Sequence, residues 1–128
     1  MISEDHYRIA FDLLLCAHEE ALEFVGRHGI QDEQILRSAI DTPYVGYYPI
    51  VHAKAAALLR GLACNHGFID GNKRTAILIT EPFVRRCGFR LNASDEELKE
   101  ITLSLVLHKI TIENIVKWIS TKLEKDVS

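Results

Sequence analysis

Apolar residues recur at helical spacing along nearly the whole chain. Ile9, Leu13, Ala17, Ala21 and Phe24 lie on one side of a segment predicted as helix from about residue 4 to 27. Ser3 is its expected N-cap, Glu4 and Asp5 fill the acidic first turn, and Gly29 stops it. Asp32 is expected to cap a short helix to about Ile40, with Ile35, Leu36, Ala39 and Ile40 as its apolar side. A third helix is predicted from about Ile50 to Asn65. It is rich in alanine and leucine on most sides and should be buried. A fourth, from about Asn72 to Cys87, is apolar around most of its surface and ended by Gly88. Pro82 should kink it or restart it, at a cost of about 3 kcal/mol if unrelieved. Ser94 and Glu97 form a capping box for a fifth helix to about His108. Thr111 caps a sixth from about Ile112 to Lys125, with Ile115, Ile119 and Leu123 as its stripe.

Between the second and third helices, Asp41–Pro49 holds two prolines, a glycine and three tyrosines, and reads as a loop or small hairpin. No strand-period segment of useful length, repeat or low-complexity tract interrupts the pattern. The expectation is an all-α single domain over 1–128 with about six helices, two of them buried and flanking a central loop.

The 128 residues are 48% hydrophobic and 26% charged, enough for a core and typical of a globular chain. The net charge of −3 gives no overall case for a nucleic acid or an anionic membrane, though Lys73, Arg74, Arg85 and Arg86 allow a local basic patch. No apolar run is long enough to span a bilayer, and the acidic N-terminus lacks the basic start of a signal peptide. Cys16, Cys64 and Cys87 suggest neither a disulfide framework nor structural zinc, so a reducing cytoplasm is expected.

The chemistry concentrates in the central loop, His66-Gly67-Phe68-Ile69-Asp70-Gly71-Asn72-Lys73-Arg74-Thr75-Ala76. A glycine followed by an apolar helical run places free N–H groups and the positive dipole end beside Lys73 and Arg74, which suits an anion. Asp70 opposes an anion unless a cation lies between them, so phosphate with Mg²⁺ is the economical reading. His66 is the candidate general base and Asp70 the candidate Mg²⁺ ligand. Asn72, Lys73 and Arg74 are candidate phosphate ligands, and Gly71 allows close backbone approach. These parts suit phosphoryl or nucleotidyl transfer. Phe68 should point inward and anchor the loop. The other histidines (His6, His18, His28, His52, His108) read as surface or core fillers, and Cys64 as packing.

The motif His-x-Phe-x-Asp-Gly-Asn-Lys-Arg-Thr-Ala resembles the core motif of the Fic/Doc family, specifically its Doc branch, at nine of eleven positions. Gly67 and Ile69 fall where that branch varies. The alanine-rich helix before the motif, Gly88-Phe89-Arg90-Leu91 after it and Trp118 also sit where the family would place them. The AMP-transferring Fic enzymes have glycine where this chain has Lys73, and a second arginine where it has Ile77. Doc proteins share both departures. The resemblance therefore implies ATP bound with its γ-phosphate toward His66, and a protein kinase whose target is elongation factor Tu, halting translation. It implies a toxin whose partner is a Phd-like antitoxin, with ATP and Mg²⁺ required. The alternatives are nucleotidyl transfer to a protein hydroxyl and a non-catalytic antitoxin-binding module. By the same resemblance, Tyr44, Val45, Gly46, Tyr47 and Tyr48 lie at the flap that docks the target's main chain. The three tyrosines equally suit ordinary packing.

Overall fold

The computed structural model describes residues 7–23, 26–44 and 50–126. Six α-helices account for most of them: α1 (Phe11–Ala21), α2 (Glu33–Asp41), α3 (Val51–Cys64), α4 (Asn72–Arg86), α5 (Asp95–Val106) and α6 (Ile112–Lys122). A single 3₁₀ turn, Thr42–Tyr44, follows α2, and the short strands β1 (Phe89–Leu91) and β2 (Leu123–Lys125) pair with each other. The fold is all-α apart from that ribbon.

α3 is the axis. Its alanines and leucines from Ala53 to Ala63 are almost wholly buried, because α2, α4, α5 and α6 all pack on it and α1 closes over α4. Small residues let the neighbouring backbones come close, and the larger Leu58, Leu59, Leu62, Ile79, Phe83 and Ile115 fill the spaces between them. No helix among the described residues is long and apolar enough to cross a membrane. All three cysteines are free.

The polar signals at helix starts act as expected. Asp32 accepts from Gln34 N and Ile35 N, Ser94 and Glu97 close a reciprocal capping box, and Thr111 does the same with Asn114. Four features differ from expectation. α1 begins at Phe11 rather than near residue 4, and the Ser3 cap lies outside the described residues. Tyr7–Ala10 is not helical: the Tyr7 carbonyl accepts from the Tyr44 hydroxyl, and the Arg86 guanidinium lies over the Tyr7 ring. α1 also ends earlier, at Ala21, with Leu22 as C-cap. α4 runs unbroken through Pro82, which removes only the N–H that would reach the Leu78 carbonyl.

The fourth difference is the ribbon. α6 stops at Lys122, and Leu123–Lys125 pairs antiparallel with Phe89–Leu91, Arg90 opposite Glu124. Arg90 Nη2 and Asn92 Nδ2 both donate to the Glu124 carboxylate, at 2.8 and 2.9 Å, which holds its pKa below the ordinary glutamate value. Strands of three residues are too short to show an alternating pattern.

The basic patch divides. Lys73 and Arg74 sit in the first turn of α4, while Arg85, paired with Glu81, and Arg86 sit in its last, roughly 20 Å away at 1.5 Å per residue.

Candidate active site

The loop from Asn65 to Gly71 joins the two most buried helices, α3 and α4, and is held along one side by residues 29–32. The Gly67 carbonyl accepts from Gln31 N and Asp32 N at 2.9 and 3.0 Å, Ile69 N donates to the Gly29 carbonyl at 3.1 Å, and Ile30 bridges Phe68. The connector between α1 and α2 thus runs beside the loop as a short antiparallel partner. Phe68 is buried at 1% exposure and anchors the loop as expected.

Asn72 is the second anchor. Its Oδ1 accepts from Phe68 N and its Nδ2 donates to Phe68 O, both at 3.0 Å and both buried. The side chain expected to meet phosphate therefore closes the loop onto the start of α4. Asn72→Ala should lower stability by about 2 kcal/mol, since two buried hydrogen bonds go and the Phe68 N–H loses its acceptor. Lys73→Ala, at an exposed position, should stay within about 0.5 kcal/mol of the parent. Thermal unfolding of the two variants separates the roles.

Gly71 has φ +79°, the left-handed region, and begins α4 with no side-chain cap. Thr75 N donates to the Gly71 carbonyl, closing the first helical bond. The N–H groups of Asn72, Lys73 and Arg74 precede it and have no carbonyl within the helix to meet. No acidic residue lies in this turn. Lys73 is exposed, and Arg74 Nη1 donates to the Ala21 carbonyl at 2.9 Å, a cation at the C-terminal end of α1. The Thr75 hydroxyl is buried with no partner among the described residues.

Asp70 stands opposite. Oδ2 accepts from Arg27 N at 3.2 Å and Oδ1 from Gly71 N at 3.0 Å. Those two backbone N–H groups, Arg27's first, hold the Asp70 carboxyl below the ordinary aspartate range, so it is ionised at neutral pH. With the folded-state value the lower one, its stabilising effect is complete above the ordinary aspartate value. That effect is lost as pH falls through the lowered value.

Asp70, Gly71, Asn72, Lys73 and Arg74 line one cleft of about 450 Å³. Ile77, one turn further along α4, and Lys99, Thr102 and Leu103 on α5 complete the lining. The lining combines the cations Lys73, Arg74 and Lys99, the apolar Ile77 and Leu103, and one carboxylate, Asp70. An anion with an apolar body fits that character, and a cation bridging the carboxylate and the anion would balance the charges.

His66 is not among the residues that line the cleft. It is exposed, has φ +54°, and no described residue hydrogen-bonds its ring. Of the expected flap, Val45, Gly46, Tyr47 and Tyr48 lie outside the described residues. Tyr44 is half-buried away from the cleft, with its hydroxyl on the Tyr7 carbonyl, Arg8 4.1 Å above its ring and Lys54 5.8 Å from it. Burial pushes its hydroxyl pKa far up, so it remains a donor.

Sequence reasoning missed three contributors. His18, read as a filler, is buried against Phe68 and bonds the Asp70 carbonyl. The Arg27 backbone N–H holds the carboxylate, and Lys99 reaches the cleft from α5. All lie far along the chain from the motif, and nothing in local pattern marks them.

The sequence matches the Fic/DOC family over residues 9–84, from just before α1 to within α4. It is 38% identical over 78 residues to a protein named Toxin Doc from Mycolicibacterium smegmatis. That match covers 57% of this chain and 60% of the relative's length. With more than half of its length matched, including the loop and the helix that frame the cleft, the chain belongs to the Fic/DOC family.

Proposed function

We propose that the chain is the toxin of a toxin–antitoxin pair and acts in the cytoplasm as an ATP-dependent protein kinase on a Ser or Thr hydroxyl of elongation factor Tu, halting translation. One observation carries the reading: an uncapped helix start with Lys73 and Arg74 lines the same cleft as the ionised Asp70. The Toxin Doc relative supports the toxin assignment. A Phd-like antitoxin is the partner this reading requires.

Residues fit a Mg²⁺–ATP complex. Mg²⁺ is usually held by one or two carboxylates together with phosphate oxygens and water, not by an all-protein cage. Asp70 offers one such carboxylate, and no group of three metal-ligating side chains gathers among the described residues. Mg²⁺ held by Asp70 would supply neutralisation of the phosphate charge. Lys73, Arg74 and the N–H groups at the start of α4 hold the phosphates, and Gly71 lets them approach the backbone. Ile77 presents no charge, so nothing at that position grips a terminal phosphate. The resemblance to Doc proteins implies that the γ-phosphoryl faces His66.

His66 takes the proton of the target hydroxyl as its oxygen bonds to the γ-phosphorus. The bond from that phosphorus to the β–γ bridging oxygen breaks, and ADP leaves. The imidazole is exposed and bonded by no described residue, which leaves it open to an incoming hydroxyl.

Incubation with elongation factor Tu and ATP labelled at either the α or the γ phosphate tests this. The reading predicts γ label on the factor. α label would establish nucleotidyl transfer, and no label on either arm would leave an antitoxin-binding module. A neighbouring reading frame for a short Phd-like protein is the genomic observation to seek.

A further inference from the structure

His18 lies on α1, yet its side chain touches both ends of the turn that carries Asp70. The ring is 3% exposed and lies parallel to that of Phe68, with centroids 3.6 Å apart and planes 5° from parallel. Its Nε2 is 2.8 Å from the Asp70 carbonyl oxygen. A carbonyl only accepts, so the bond requires the tautomer with hydrogen on Nε2.

The peptide bond after Asp70 is planar and trans, so its carbonyl and the next N–H point in opposite directions. Holding the carbonyl against α1 turns the Gly71 N–H the other way, where it donates to Asp70 Oδ1 at 3.0 Å. Arg27 N holds Oδ2 from the other side. A carboxylate has about four lone-pair sites, so these bonds orient the group and still leave capacity toward the cleft. The ring also lies close beside the turn: a Cβ built on Gly71 would be in ordinary van der Waals contact with it, 3.6 Å from His18 Cδ2.

We infer that His18 is a positioning residue. By pinning the Asp70–Gly71 peptide from beneath, it sets how the Asp70 carboxylate and the uncapped start of α4 are presented to a Mg²⁺–nucleotide phosphate. The ligand in this statement rests on the proposed function; the hold on the peptide does not.

Two variants of the full chain separate the hydrogen bond from the ring. His18→Phe keeps a flat ring for Phe68 and removes the donor, while His18→Gln keeps a donor and removes the ring. Amide hydrogen exchange is read at Gly71 and Arg27, whose N–H groups hold Asp70, against the core amides of α3. Calorimetry reads ATP affinity with and without Mg²⁺.

In His18→Phe the two amides should exchange about tenfold faster than any change in α3, the scale of one lost buried hydrogen bond. Mg²⁺-dependent ATP affinity should fall by a similar, roughly tenfold factor, with Mg²⁺-free binding within about twofold. His18→Gln should recover most of both. Unchanged exchange at Gly71 and Arg27, or an equal rise throughout α3, overturns the inference.

Should His18→Phe not fold, His18→Gln decides: protection and affinity retained support the donor's role, and their loss in a folded chain refutes it. A parent chain that binds no Mg²⁺–ATP rejects the proposed function instead, and the exchange measurement still rules on His18.

Discussion

Replacing His66 by alanine should lower phosphoryl transfer by about 100-fold or more, the usual contribution of a positioned general base. ATP binding should change by less than about twofold, because the histidine is not part of the cleft lining. The imidazole is exposed and no described residue bonds it, so its removal takes little from the fold. One complication is the backbone, since His66 adopts a left-handed φ of +54°. Alanine is strained there, whereas asparagine tolerates the conformation. His66→Asn therefore serves as the second variant and should lose the same activity with an unchanged unfolding midpoint. Single-turnover transfer with nucleotide affinity measured in parallel checks the pair. Activity within threefold of the parent in either folded variant removes His66 from the chemistry.

Gly67→Ala should cost about 2 kcal/mol of stability, the range of overpacking a filled core. For a chain of this length that is a fall in midpoint of roughly 8 °C. Gly67 is buried, and a Cβ at that position would lie 2.3 Å from Leu36 Cδ2 and 2.7 Å from its Cγ. Leu36 is 1% exposed and has nowhere to turn. Relief must then come from the loop, whose Gly67 carbonyl is tied to Gln31 and Asp32. The double variant Gly67→Ala/Leu36→Ala tests the cause. Leu36→Ala alone loses core contacts, but it makes room for the methyl. The two losses should therefore fall short of additive by about 1 kcal/mol or more, as for residues in direct contact. Strict additivity in urea unfolding would mean the methyl is accommodated elsewhere.

The elements were legible wherever one short stretch carried its own signal. Asp32, Ser94 with Glu97, and Thr111 each marked a helix start through a bond made within three residues. Asp70 through Arg74 reached one cleft for a related reason: five consecutive residues around a left-handed glycine have little freedom to separate. What stayed hidden depended on distant partners. Tyr7–Ala10 continues a helical pattern in the sequence, but Tyr44 and Arg86 hold it extended. Leu123 completes the stripe of α6 in the sequence, yet pairs with Leu91 in the ribbon. Asn72 was legible as a site residue but not as a clamp, because its partner is the Phe68 backbone rather than a side chain. Lys99 could be placed at the cleft only once α5 was known to lie across from the first turn of α4.

The cleft is lined by three cations, Lys73, Arg74 and Lys99, and one carboxylate, in a chain whose formal net charge is −3. A polyanion should be repelled weakly by the net charge and attracted locally by the cations of the cleft, which favours encounters oriented toward it. At 0.1 M salt that field reaches only about 10 Å, the last stretch of the approach. Added salt should therefore slow capture far more than it speeds release. Ionic strength then governs how often the cleft fills, and the short-range bonds to the start of α4 govern how long it stays filled.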